Sequence, residues 1–363
     1  MFSENNELSI PQMKRMFFIE VFATFSLTMP ALLTRGMEYC GLYPFLMGSF
    51  LAGVYLLFLF VVKQKINVPY GDYIKTQFGS AAQWVIIFLY FFRFLIKSGY
   101  TIALFITLIQ TNLLKNQAKW VIAIPILFLC GYVAYAGRET RGKVLEILAF
   151  FIVVPLFIVI LLCIPELNFE QLLPHGHFLK DSFWATSFLV FLCYNPMEFI
   201  LFYGGGRTET KEKKRKSEWA IGGSFLFVVF SYLCLFLTTI GLFGVQMTKN
   251  SLFPAFAIME TAKLPADFIS RLDILFIAFW IFGLFGVVSG YCTYAMWIVE
   301  KSIRDRKKAG ILILFLALAL GISLLISNMN LGTTIYFRYL MFLDFPIAIA
   351  IPIIILLKKK RRK

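Results

Sequence analysis

Ten apolar runs, each near the length of a membrane span, decide what this 363-residue chain can fold into. A helix needs about 20 predominantly apolar residues to cross the hydrocarbon of a bilayer, and only helices or closed barrels satisfy their own backbone hydrogen bonds there. The runs fall at roughly 15–34, 43–62, 81–113, 118–136, 143–164, 182–203, 219–245, 268–299, 309–327 and 337–357. They are continuous rather than alternating, so the expected class is an all-α polytopic membrane protein with ten transmembrane helices, not a β-barrel. With 60% of residues hydrophobic and 15% charged, the apolar excess exceeds what a soluble core can hide, which excludes a soluble enzyme. No nucleophile, base and orienter set stands out, and no nucleotide-binding domain; neither catalysis nor a cofactor is expected.

Charge then sets the orientation. Lys and Arg number 35 against 20 Asp and Glu, a net charge of +15 that in a polar protein would suggest nucleic acid. Here its placement between spans matters instead, because cytoplasmic loops carry the basic excess. With the N-terminus inside, 25 of the 35 basic residues fall on inner segments and 8 on outer ones, Arg35 and Arg338 among them. The other two, Arg93 and Lys97, lie within the third run. Both termini are therefore expected in the cytoplasm, and the terminal run 358–363 reads as a basic tail for anionic lipid head groups rather than for nucleic acid. The polar, acidic start MFSENNELSIPQMKR lacks the pattern of a cleaved signal peptide. Five of the six cysteines sit in apolar stretches and His175 and His177 have no third ligand nearby, so neither disulfides nor a metal are expected. Gly204 to Gly206 read as a helix stop, since no Lys-Ser/Thr follows to make a phosphate loop.

Two prolines interrupt spans that should be continuous. Pro30 in the first run and Pro196 in the sixth each remove a helical hydrogen bond, freeing backbone groups around Ser26 to Met29 and Cys193 to Asn195. The two runs are five apart and antiparallel, so they hold equivalent positions in two inverted five-helix halves, about 15–164 and 182–357, of one membrane domain. Interrupted helices in corresponding positions point to a central binding site, where half-helix N-termini face an anionic group. The expected site places that group near Thr28, Met29, Pro30 and Ala31, and the ligand's other end near Tyr194, Asn195, Pro196 and Glu198, with Tyr100 as a lid.

Ionisable side chains inside spans are costly unless paired or hydrated. Glu20, Arg93, Lys97, Glu198 and Asp344 qualify. Arg93 and Lys97 share a helix face, and an ion pair of theirs with Glu20 or Glu198 competes with a role in ligand or proton binding. A Lys97–Glu198 pair predicts that exchanging the two charges partly rescues folding.

Ser251 to Tyr291, with Phe253-Pro254, Asp267-Phe268, Arg271-Leu272-Asp273 and Trp280, resembles the spore germination permease family, the B subunit of GerA-type germinant receptors. Pro165 to Gly176 is similar to the family's N-x-x-x-L-L-P-x-x-x-G loop, and Gly137, Glu139 and Arg141 match its G-x-E-x-x-x-R segment in character though not in spacing. The resemblance implies the amino acid, polyamine and organocation transporter superfamily with its five-plus-five inverted repeat. It further implies a germinant receptor subunit in the spore inner membrane, binding a small, amino acid-like germinant beside an A-type membrane subunit and a C-type lipoprotein. A proton- or sodium-coupled amino acid transporter is the alternative. The glycine usual before the proline of helix 1 is replaced here by Ala23-Thr24-Phe25, which leaves that break resting on Pro30.

Overall fold

Ser9 starts the first helix. Its hydroxyl accepts from the Gln12 N–H while the Gln12 side chain accepts from the Ser9 N–H, and Pro11 falls in the first turn, where its missing N–H costs nothing. The computed structural model describes residues 8–66, 68, 70–172, 180–203, 211–261, 272–300, 308–326 and 328–357. Helix α1 (Ile10–Phe25) ends one turn before Pro30, and α2 (Met29–Met37) resumes at 50° to it, leaving Ser26 to Thr28 non-helical. There follow α3 (Leu42–Lys65), α4 (Tyr70–Phe78), α5 (Ser80–Asn112), α6 (Lys119–Ala136) and α7 (Arg138–Cys163). Next come α8 (Lys180–Cys193), a 3-10 segment Asn195–Phe199, α9 (Ile200–Tyr203), α10 (Lys211–Asn250, broken by a kink at the non-helical Gly244), α11 (Pro254–Thr261) and α12 (Leu272–Glu300). The chain closes with α13 (Lys308–Leu325), α14 (Met329–Tyr339), a π-helical turn Leu340–Asp344 and α15 (Phe345–Leu357).

Among the described residues nine helical stretches are long and apolar enough to cross a membrane, ten when the bent α1–α2 pair counts as one span, and there is no strand. Number and order match the ten runs. The last span is longer than its run, because Asn328 caps it early by accepting from the Asn330 and Leu331 N–H groups. Its π-helical turn lies just before Pro346, which has no N–H to continue the ladder.

Helix α1 lies at the centre, packed on α10, α12 and α7, while α5 runs along α12 and α13 and α3 packs on α8. Small residues permit the closest approaches: a Cβ at Gly48 would meet the Ser187 carbonyl oxygen and the Val190 Cβ at 2.6 Å. Gly137, at φ +98°, joins α6 to α7 without a loop, a conformation side chains resist. Large apolar side chains such as Phe50, Phe88, Phe128, Phe150 and Leu226 point outward, as expected of a surface solvated by lipid. His175 and His177, Gly204 to Gly206, the tail 358–363, and Asp267, Phe268 and Arg271 of the family-like segment lie outside the described residues.

Candidate functional site

The embedded charges are gathered into two closed networks. In the first, Arg93 on α5 donates from Nη2 to both oxygens of Glu198 at 2.9 Å and from Nε to Asp344 at 2.8 Å. One turn on, Lys97 Nζ reaches Glu198 at 3.1 Å, Asp344 at 3.0 Å and the Asn195 side-chain oxygen at 2.9 Å. Asn195 in turn donates to Asp344 at 3.3 Å. Two cations face two anions, all buried, so the quartet is electrically neutral. The breaks place it: Pro196 opens the 3-10 segment that carries Asn195 and Glu198, and Asp344 ends the π-helical turn before Pro346. The Arg93 and Lys97 pairing is thus with Glu198 and, as the sequence reading did not include, equally with Asp344.

Glu20 belongs to the second network and touches neither Arg93 nor Lys97. It pairs with Arg141 at 2.5 Å and accepts from Tyr294 at 2.8 Å and from Tyr203. Arg141 also donates to the Tyr294 hydroxyl at 2.9 Å, the Ser289 hydroxyl at 3.2 Å and the Gly286 carbonyl at 2.7 Å. The sequence count assigned Arg141 to an inner loop; it is fully buried instead, because α7 begins immediately after Gly137 and carries it one turn into the bundle. Its only sequence signal was the match of Gly137, Glu139 and Arg141 in character to the family segment, without its spacing. Gly290 makes the room, since a Cβ there would lie 2.7 Å from Arg141 Nη2.

The quartet leaves almost no free space. The cavity touching Asn195 and Asp344 holds about 10 Å³, at the threshold for one water molecule. A larger cavity of about 380 Å³ lies between α2, α8 and α14, on the face expected to be outer. Thr28 and Ala31 from the first break line it, with Arg35, Asn330, Thr333, Phe337 and Arg338. Its size falls within the range of small-molecule sites, about 300–1,000 Å³. The N–H groups of Met29 and Ala31, in the first turn of α2, have no acceptor among the described residues.

Tyr100 does not line this cavity but touches one of its wall residues. Its ring stacks on Tyr336 with centroids 3.7 Å apart, and its hydroxyl hydrogen-bonds that of Thr333 in the cavity wall at 3.2 Å. The Tyr336 hydroxyl is buried with no hydrogen-bond partner among the described residues.

The residues singled out in the sequence therefore divide. Thr28 and Ala31 line the cavity and Tyr100 contacts its wall residue Thr333, while Met29 and Pro30 are buried and do not line it. Asn195 and Glu198 serve the quartet, beside Pro196. Tyr194 turns away, its hydroxyl 2.8 Å from that of Ser49 and its ring edge-on to Tyr232.

Comparison with known proteins gives a consistent picture. The chain is 26% identical over 204 residues to the putative spore germination protein YfkT of Bacillus subtilis (strain 168), covering 54% of this chain and 52% of that protein. It is 21% identical over 255 residues to the spore germination protein GerQB of Bacillus cereus, covering 68% of this chain and 66% of that one. The chain thus spans between half and two thirds of the length of these relatives. Among solved structures, a Na+-coupled sialic acid symporter in a substrate-bound outward-open state matches 93% of this chain and 75% of its own with a TM-score of 0.56 at 12% identity, a likeness of fold. The architecture is accordingly that of a transporter with helices 1 and 6 broken. The family model described as spore germination protein matches residues 8–331, and on that match the chain belongs to the spore germination protein family.

Proposed function

We propose that this chain is the transporter-fold subunit of a spore germinant receptor, sensing a small, amino acid-like germinant. The observation that carries the reading is the cavity at the first helix break. It combines a polar wall that includes Asn330 and Arg338 with the Ala31 N–H at the start of α2, which has no acceptor among the described residues. Germinant enters from the outer face and rests its anionic group near Thr28 to Ala31. The quartet ties α5 to the second broken helix and to the last span. Ligand that favours one arrangement of these elements shifts their balance by its differential affinity alone, and the shift is passed on.

The two inverted halves, about 15–164 and 182–357, supply the elements that move. An A-type membrane subunit and a C-type lipoprotein receive the motion in the spore inner membrane, with both termini of this chain cytoplasmic. A coupled amino acid transporter shares the fold, and fold alone does not choose between them. Two measurements separate the readings: germination of spores lacking this chain against a panel of amino acids, and net uptake of the same labelled amino acids by the purified chain in proteoliposomes. A lost germination response with no net uptake supports the receptor; uptake driven by a proton or sodium gradient, with germination intact, replaces it by the transporter.

A further inference from the structure

The cavity at the first helix break is lined by two arginines, Arg35 and Arg338, and by no acidic residue. The two differ in what holds them. Arg35 is spoken for, donating from Nε to the Lys249 carbonyl at 2.8 Å and from Nη2 to that of Ser251 at 3.3 Å. Arg338 is exposed and makes no hydrogen bond or ion pair with any described residue. It is not a loop residue, although the sequence count treats it as one. It lies nine residues into α14, about 13 Å along the helix from its outer end. A span of 29 residues overhangs a 30 Å hydrocarbon core by only about 6–7 Å at each end, which puts the Arg338 backbone below the outer boundary. An arginine at that depth without a carboxylate is expensive unless it faces water or binds an anion.

We propose that Arg338 is the anion-recognition residue of this cavity, holding the carboxylate of a small organic ligand between α2, α8 and α14. The proposal rests on the germinant reading and sharpens it, moving the anionic contact from the helix break alone to a charged side chain. The surroundings suit a carboxylate. Arg338 offers a planar fork that matches its two oxygens. Asn330 on the same helix adds a neutral side-chain amide donor, while the hydroxyls of Thr28, Thr333 and Thr334 in the wall donate to backbone carbonyls. Leu32, Leu189, Leu252 and Met341 supply apolar wall for the rest of the molecule. Arg35 adds positive potential without a free fork, so it attracts the same charge without competing for the contact. No carboxylate lines the wall to repel it.

Two measurements on the full-length chain in nanodiscs test this. The first is thermal stabilisation by each of the twenty standard amino acids, by the corresponding amino acid amides and by inorganic phosphate. At least one acid should stabilise the wild-type chain while its amide and phosphate do not. Arg338→Gln should weaken the apparent affinity for that acid by at least about tenfold, and Arg338→Lys should recover part of it. The second needs no ligand: Thr334→Cys places a thiol in the cavity wall, and its rates of modification by anionic and cationic methanethiosulfonates are compared, over the background of the parent chain. The anionic-to-cationic rate ratio should fall about tenfold when Arg338→Gln is added. An unchanged ratio, or an amide or phosphate that stabilises as well as the acid, overturns the proposal. If the ratio falls but no amino acid stabilises the wild-type chain, the anion site stands and the amino acid germinant reading fails.

Discussion

Glu198→Gln removes one charge from a buried set of four, and the geometry sets the size of the effect. Glu198 accepts two hydrogen bonds from Arg93 at 2.9 Å and one from Lys97 at 3.1 Å, and the cavity at Asn195 and Asp344 has room for about one water at most to rehydrate the cations. The change leaves two cations facing Asp344 alone. Breaking a buried pair in this way costs about 3–5 kcal/mol, because the remaining charge keeps its desolvation penalty without its partner. Lys97→Met leaves the opposite imbalance and should cost about the same by that reasoning. The double variant retains only the Arg93–Asp344 pair at 2.8 Å and is neutral again. It should therefore be more stable than the sum of the singles predicts by about 2–3 kcal/mol. Equilibrium unfolding in bicelles, followed by helical circular dichroism, reads all three. Additivity within about 0.5 kcal/mol would show that the residues do not form one electrostatic unit and would refute the reasoning. Exchanging the two charges, which a simple pair would tolerate, should not rescue: it sets a lysine at 198 against Arg93 and a carboxylate at 97 against Asp344.

Other parts of the account carry their own tests. Arg141→Met should destabilise by about 3–5 kcal/mol in the same unfolding assay, since Glu20 would keep only the Tyr203 and Tyr294 hydroxyls, and adding Glu20→Gln should recover part of the loss. Gly48→Ala should cost about 1–3 kcal/mol by pushing α3 off Ser187 and Val190 on α8. Tyr194→Phe leaves the buried Ser49 hydroxyl without its partner and should cost about 1–2 kcal/mol, with Ser49→Ala added on top bringing the protein back toward wild type. Tyr100→Phe keeps the stack on Tyr336 and loses only the Thr333 contact, about 1 kcal/mol, whereas Tyr100→Ala removes a buried ring and should cost about 3–5 kcal/mol.

Spans and breaks were legible because their causes are local. Run length gives the helices, and Pro30 and Pro196 give interruptions at Ser26 to Thr28 and at Tyr194, where the freed groups were expected. The charge partners were not legible, because choosing among Glu20, Glu198 and Asp344 needs the packing of helices far apart in sequence. Arg141 and Arg338 were misplaced for a related reason: both lie near the ends of apolar runs, and hydropathy cannot tell a charge in a loop from one carried a few turns into a helix. Pro346 signalled the irregular turn at Leu340–Asp344, but a lone proline near a span end is ambiguous until Asp344 is seen to join the quartet. The expected ligand site mixed two things that the structure separates, an open cavity at the first break and a filled charge network at the second.

Filling that cavity tests the functional account most directly. Ala31 lines it on α2, and Ala31→Trp would add an indole there at a residue that takes no part in the quartet or the Glu20–Arg141 network. In spores that carry this variant at the normal level in the membrane, the account predicts that the germinant concentration for half-maximal germination rises at least about tenfold, the loss of one good contact or more. A wild-type dose response from such spores would contradict it.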